Sequence, residues 1–382
     1  MSNISQITSI SKQILKKYDL CDHCLGRFFS KQLNLSSNKS LGKKLKIDYI
    51  SKNKCYVCKN LFHNLDHFLN LMLDSSSNYV FKTYGVGAII KPSIVDRDDF
   101  LRSKYKLKGI DSVKTDITKE LIKLFTKKTN KVMDSLDPEI TFTLNLKDES
   151  CQLRTKSITI CGRYVKSKRG IPQKQKSCDN CFGKGCRMCD FHGISEFQSV
   201  EGIISKLFFK KFGGTTTKFS WIGGEDNSSL VLGGGRPFFV KIKNPSKRKS
   251  ILSDENFDFI SLFNLKVIDT SPKKPLNFNS IIKIKIFTTS QIDSKNLKKL
   301  KDLTSTPIVI YEKSGKRSEK KIFDVKYKKN SKNVFTMTIT AEGGLPIKRF
   351  IVGDDISHNI STLFNTPCMA QEFDFLDIIA EC

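Results

Sequence analysis

No stretch of this 382-residue sequence approaches the roughly 18 consecutive apolar residues that a bilayer-crossing helix needs, so a membrane span is not expected. Residues 1–11 lack the basic-then-apolar pattern of a secretion signal, and a cytoplasmic, soluble protein follows as the expectation. No Gly-x-Gly-x-x-Gly opens a helix and no Gly-Lys-Ser/Thr closes a loop, which leaves dinucleotide-binding and NTPase folds without support. Internal repeats of 20 to 50 residues are also missing, which argues against solenoids. Acidic residues are scarce. Thirty-eight Asp+Glu face 66 Lys+Arg, for a formal charge of +28, and a field of that sign favours polyanions such as nucleic acid.

Apolar residues make up 38% and aromatics 10%, enough to bury real cores despite 27% charged residues. The length exceeds what one core usually organises, so several domains are expected. Eight of the 12 cysteines fall in Cys-x-x-Cys pairs, a pattern that fits metal thiolates better than disulfides. Cys21 and Cys24 precede Cys55 and Cys58, and two such knuckles complete a tetrahedron around one structural zinc. Cys178, Cys181, Cys186 and Cys189 form a second set, with Gly183 and Gly185 permitting the reversal between its pairs. That segment is too small for a core, so the metal would supply its stability. Cys151, Cys161, Cys368 and Cys382 remain as ordinary thiols, and His23, His63 and His67 as plain side chains.

Residues 61–169 alternate helical and strand patterns. Ile117, Leu121, Leu124 and Phe125 recur at helical spacing after Asp116 as a cap, and residues 140–146 and 157–165 read as strands. Eight basic residues and no acid lie between Arg154 and Lys176, including Lys166, Lys168 and Arg169, which suggests a phosphate-facing strip. Beyond the second knuckle, Val200, Ile203, Ile204, Leu207 and Phe208 form a helical stripe capped by Ser199, followed by strands at 281–287, 322–327, 334–340 and 347–352. Arg236, Lys241, Lys243, Lys247, Arg248 and Lys249 form a second basic cluster suited to phosphates. Gly223-Gly224-Glu225-Asp226 is the densest chemical signal: glycines let the backbone approach a ligand and hold a carboxylate at a cleft. A glycine-rich hairpin with a solvated Asp fits the same residue types. The Ser-Gly-Gly-x-Asp-Ser loop of ATP pyrophosphatases fits worse, because Ile222 and Asn227 replace its two serines.

Several stretches together resemble one family. They are residues 20–27, the knuckles at 55–58 and 178–189, Gly162-Arg163-Tyr164-Val165-Lys166, Arg169-Gly170-Ile171-Pro172-Gln173, Ser199-Val200-Glu201, Gly224-Glu225-Asp226, Gly235-Arg236-Pro237-Phe238 and residues 346–354. In this order they resemble the archaeal tRNA pseudouridine synthases of the Pus-ten family. The resemblance implies a mixed α/β, multidomain α+β protein. Residues 1–60 would form a zinc-binding segment, 61–176 a THUMP-like RNA-binding domain, 177–196 a second knuckle and 197–382 a catalytic domain with a mainly antiparallel sheet. It further implies isomerisation of uridine 54, 55 or both in the T loop of tRNA without an organic cofactor. The T arm and acceptor stem would be gripped by a monomer.

The family's catalytic aspartate matches Asp226, although Gly224 stands where an Arg is usual and Ser228 where a second Asp is common. Strand alternation in 281–287 puts Phe287 on the polar face, where the family tends to carry a Tyr, as a platform for the extruded base. Lys348 matches the cation set against the catalytic carboxylate; on a strand, Arg349 would point the other way. Arg236, Lys166 and Arg169 complete the expected substrate-binding set. A zinc-stabilised tRNA-binding module without catalysis, or a THUMP-linked methyl or sulfur transferase, are the alternatives.

Overall fold

A computed structural model describes residues 2–33, 37–46, 49–50, 53–107, 111–272, 276–312 and 314–380. The chain divides at Lys156/Ser157 into two compact units, each with its own core.

In the first unit, helices pack on a four-stranded sheet ordered Val132–Met133, Thr83–Ile89, Ile140–Asn145, Ser150–Thr155. The Ile140–Asn145 strand alternates buried and half-buried residues, as its sequence period requires. The helix Val113–Thr129 buries Ile117, Leu121 and Phe125, but its cap is Ser112, whose hydroxyl accepts from the Thr115 N–H. Asp116, expected as that cap, lies instead inside the first turn and is buried. Cys24, Cys55 and Cys58 belong to the same core as the THUMP-like strands, so residues 1–60 do not form a separate body.

The second unit carries a nine-stranded, largely antiparallel sheet. Its path runs Ile322–Lys329, Val334–Glu342, Phe278–Thr288, Cys368–Ala380, Val231–Lys243, Ile158–Lys166, Ile260–Ile268, Glu255–Asn256, with Thr216–Trp221 also pairing Val231–Lys243. The boundary expected after residue 176 therefore falls some twenty residues earlier. Ile158–Lys166 pairs with Val231–Lys243 on one side and Ile260–Ile268 on the other, and a strand bonded along both edges belongs to the sheet it completes. Cys368–Ala380 meets Val231–Lys243 in parallel, with the single register pair Phe375↔Val231, so the sheet is two halves joined at a narrow seam.

Residues 347–352, expected as a strand from their Ile, Phe and Val content, form the helix Ile347–Val352, led by Pro346 and ended by Gly353 in the left-handed region. Its Ile347, Phe350 and Ile351 are buried, a helical spacing that tertiary packing selects over β propensity. The Val200–Phe212 helix is capped by Ser199, whose hydroxyl accepts from the Gly202 N–H. No helix among the described residues is long and apolar enough to cross a membrane.

Candidate active site

The strand Thr216–Trp221 runs into a loop, residues 222–230, that carries the acidic pair before Val231–Lys243 begins. Gly223 has φ 73°, and a Cβ there would meet Arg236 Nη1 and the Phe278 ring at 2.7 Å, so the turn requires glycine. Gly224 is different: a Cβ would meet only Gln173 Oε1, at 3.9 Å, so the space does not dictate the residue that departs from the family pattern.

Glu225 and Asp226 point to different environments. The Glu225 side chain is fully buried, with Lys166 Nζ 2.9 Å from Oε1 and Arg236 Nε 3.6 Å from Oε2. The Tyr164 hydroxyl donates to Glu225 Oε2 at 2.9 Å, and the Gln173 amide donates to that hydroxyl at 3.1 Å. Burial, and then the Glu225 charge, push the Tyr164 phenol well above its ordinary pKa, so it stays a neutral donor. Lys166 also donates to the Ile171 carbonyl at 2.9 Å and to the Asp226 carbonyl at 3.3 Å. Arg236 donates to the Ile222 carbonyl at 2.8 Å and lies 4.4 Å over the Phe375 ring.

Asp226 faces outward, its side chain 26% exposed. Lys348 Nζ donates to Oδ2 at 2.7 Å, while the Ser228 hydroxyl and N–H donate to Oδ1 at 2.5 and 3.0 Å. Partial burial pushes its pKa up, but Lys348 and Ser228 outweigh that and hold the carboxyl at about 2. The site therefore presents an ionised carboxylate with a half-open cation beside it.

Two of the expected phosphate contacts are corrected by this geometry. Lys166 and Arg236 have no exposed side-chain surface and are spent on Glu225, so neither can reach RNA. Charge counting along the chain could not reveal that both turn inward onto one buried carboxylate, 59 residues from Lys166 and 11 from Arg236. Arg169 is partly exposed but also engaged: it forms two hydrogen bonds to Asp374, at 2.6 and 2.8 Å, and donates to the Ser228 carbonyl. Lys348 and Arg349 diverge because they are consecutive on a helix; Arg349 donates to the Tyr311 and Asp354 carbonyls, the former at 2.8 Å.

Phe287 keeps the expected face, half-buried beside Lys283 and Lys285 while Ile282, Ile284 and Ile286 are buried. Lys283 stands opposite Asp374, and Phe287 lies four residues farther along, about 13 Å at strand rise. No hydrogen bond or ring contact joins Phe287 to Asp226 among the described residues. Tyr164, Gln173 and Asp374 escaped the sequence reading as members of the site; the only available signal was that Tyr164 and Gln173 lie inside the motif stretches.

Both cysteine sets converge. Their sulfurs lie within 4.8 Å of one another in each set, and pairs such as Cys21–Cys58 at 3.6 Å and Cys181–Cys189 at 3.8 Å approach the ~3.8 Å edge of a tetrahedron with 2.3 Å zinc–sulfur bonds. Both sets could hold zinc. In the second, N–H groups of Cys186 and Gly193 point at Cys189 Sγ from 3.3 and 3.2 Å, and the Cys186 N–H leads in drawing that thiol down to about 6. Gly185, at φ 91°, lies where a Cβ would come within 2.6 Å of the Phe191 carbonyl oxygen. Cys382 lies outside the described residues.

Residues 159–379 match the family profile described as "Pus10, C-terminal", and residues 68–145 match "Pus10 THUMP domain, archaeal". The chain belongs to the Pus10 family of tRNA pseudouridine synthases, which are isomerases. It is 63% identical over 378 residues to the tRNA pseudouridine synthase Pus10 of Nitrosopumilus maritimus, covering 99% of both chains. The enzyme of that name from Cenarchaeum symbiosum is 30% identical, over 95% of this chain and 90% of the relative. The one from Methanocaldococcus jannaschii is also 30% identical, over 97% of this chain and 94% of its own length. The mixed α/β fold and the THUMP region stand with this assignment.

Proposed function

We propose that this chain converts uridine 54, uridine 55 or both in the T loop of tRNA to pseudouridine, with Asp226 as the catalytic carboxylate and without an organic cofactor. The observation that carries the proposal is the contrast within the acidic pair: Glu225 is buried against Lys166 and Arg236, while Asp226 is ionised, outward-facing and held by Lys348 and Ser228. The reaction breaks the N1–C1′ bond, turns the uracil and joins C5 to C1′; the C5 proton is released to solvent and N1 takes one up. A carboxylate at the sugar serves it, either by bonding to C1′ or through a glycal route. Lys348 keeps the carboxylate charged before the substrate arrives. Phe287 is assigned the stacking role on its outward face, and Arg169 the positioning of the loop through Ser228.

Zinc in the two tetrathiolate sets would be structural, fixing backbone rather than entering the chemistry. The enzyme works in the cytoplasm as a monomer that grips the T arm and acceptor stem, a role in keeping with the +28 charge.

Asp226→Ala tests the assignment. The variant should bind tRNA as the wild type does and release no tritium from C5-labelled uridine in a T-arm transcript, and undiminished product would remove Asp226 from its role. Mapping modified bases in tRNA treated with the wild type identifies the uridine. A requirement for S-adenosylmethionine or ATP would transfer the chain to the methyl or sulfur transferases.

A further inference from the structure

The second knuckle turns one side toward the protein and the other to solvent. On the inner side, Ile194 is buried, the His192 ring stacks on Phe209 at 4.0 Å and its Nδ1 meets the Thr215 carbonyl at 2.9 Å. On the outer side, Phe182 is 81% exposed, Met188 83% and Phe191 52%. Three large apolar side chains outside any core, within ten residues, are not explained by folding. Phe182 and Phe191 also hold positive φ angles of 52° and 61°, a conformation unfavourable to bulky residues. The two Cys-x-x-Cys pairs of this set adjoin that backbone. Lys184 and Arg187 lie between the two phenylalanines in sequence, exposed and without an ion pair or side-chain hydrogen bond among the described residues, whereas the nearby Asp179 pairs with Lys176.

Position supports a role beside the reaction. The Gly170 N–H donates to the Asn227 carbonyl, next to Asp226, and Cys178 follows Gly170 by only eight positions. The knuckle base therefore lies within about 29 Å of the catalytic loop, less than the ~34 Å of one duplex turn.

We propose that the tip of this knuckle is an RNA-contact site that stacks Phe182 on an unpaired base of the tRNA, with Met188 and Phe191 as its apolar border and Lys184 and Arg187 on the adjoining phosphates. The choice of RNA rests on the tRNA substrate proposed above and on charge: aromatic faces interleaved with unpaired cations match an unstacked, phosphate-linked base.

The test uses the full-length, zinc-loaded protein and an unmodified tRNA transcript. Phe182→Ala should raise Kd by roughly 5- to 100-fold while zinc content and the salt dependence of binding stay at wild-type values, and Phe182→Tyr should restore affinity. Lys184→Ala should weaken binding and lower the log Kd versus log salt slope by about 1. A photoreactive benzoyl-phenylalanine at position 182 should cross-link to an unpaired nucleotide. Wild-type affinity for Phe182→Ala, or cross-links only to paired nucleotides or to protein, would overturn the proposal. Because these readouts are binding and proximity, a cross-link from the photoreactive residue at position 182 to an unpaired base, together with a wild type that forms no pseudouridine, sinks the catalytic assignment and leaves this one standing.

Discussion

Beneath the loop that carries Asp226, two buried cations share one buried carboxylate, and this unequal ratio predicts an order of damage. At an effective dielectric of about 20, Glu225 attracts Lys166 across 2.9 Å by ~6 kcal/mol and Arg236 across 3.6 Å by ~5 kcal/mol, gross values that desolvation largely offsets. Glu225→Gln leaves both cations buried and unopposed, and removing one partner of a buried pair usually costs about 3–5 kcal/mol. Lys166→Met leaves Arg236 and Glu225 as a neutral pair. It gives up the 2.9 Å contact to Glu225 Oε1 and the bond to the Ile171 carbonyl, together about 1–3 kcal/mol because the buried ammonium's desolvation cost goes with them, while the Asp226 carbonyl it releases still accepts from Ser229. For a unit of this size each kcal/mol moves Tm by roughly 2–4 °C, so Glu225→Gln should lower the melting of the second unit by roughly 6–20 °C and Lys166→Met by less. Calorimetry resolves the transition, and single-turnover assays well below it should show a slower chemical step with tRNA affinity unchanged. If Lys166→Met melts at or below Glu225→Gln, the carboxylate is not the hub of this cluster and the reasoning fails.

Two further outcomes follow from the same geometry. Asp226 is held at about 2, below the ~3.9 of an unfolded aspartate, so its ion pair stabilises fully above that value and is lost as pH falls toward 2. Lys348→Met should raise its pKa toward the ordinary carboxylate range, read by carboxyl NMR titration and by an acid limb of kcat/KM displaced upward, with little change in stability because Lys348 is largely exposed; an unmoved titration would detach Lys348 from Asp226. Chelation should strip the half-exposed knuckle around Cys181, Cys186 and Cys189 before the set containing buried Cys24, Cys55 and Cys58, seen as loss of one zinc per chain accompanied by proteolysis confined to residues 177–194; simultaneous loss of both metals would contradict this order.

What the sequence disclosed, and what it hid, divides by range. Both tetrathiolate sets were legible because a two-residue gap constrains sulfur positions locally. The Phe278–Thr288 strand was legible through the alternation of its isoleucines. Asp226 and Lys348 came from motif matches, and their 2.7 Å contact is a fact of the fold alone. Ile347–Val352 was misread because its β-branched and aromatic residues favour strands in isolation, while burial of Ile347, Phe350 and Ile351 decides for a helix. Lys166 and Arg236 were misplaced on the surface because a basic residue near glycines looks the same whether it meets solvent or a buried Glu225.

The narrow parallel junction at Phe375↔Val231 is bridged beside the Asp226 loop by ion pairs of opposite sense. Asp226 follows Thr216–Trp221 and reaches Lys348, which follows Val334–Glu342 across the join; Arg169 follows Ile158–Lys166 and reaches Asp374 in Cys368–Ala380. Each half of the sheet thus lends one acid and one base to its neighbour, like two hooks facing opposite ways. A backbone phosphate that drew Lys348 aside would undo one hook and free the carboxylate, while Arg169 and Asp374 kept the halves from parting.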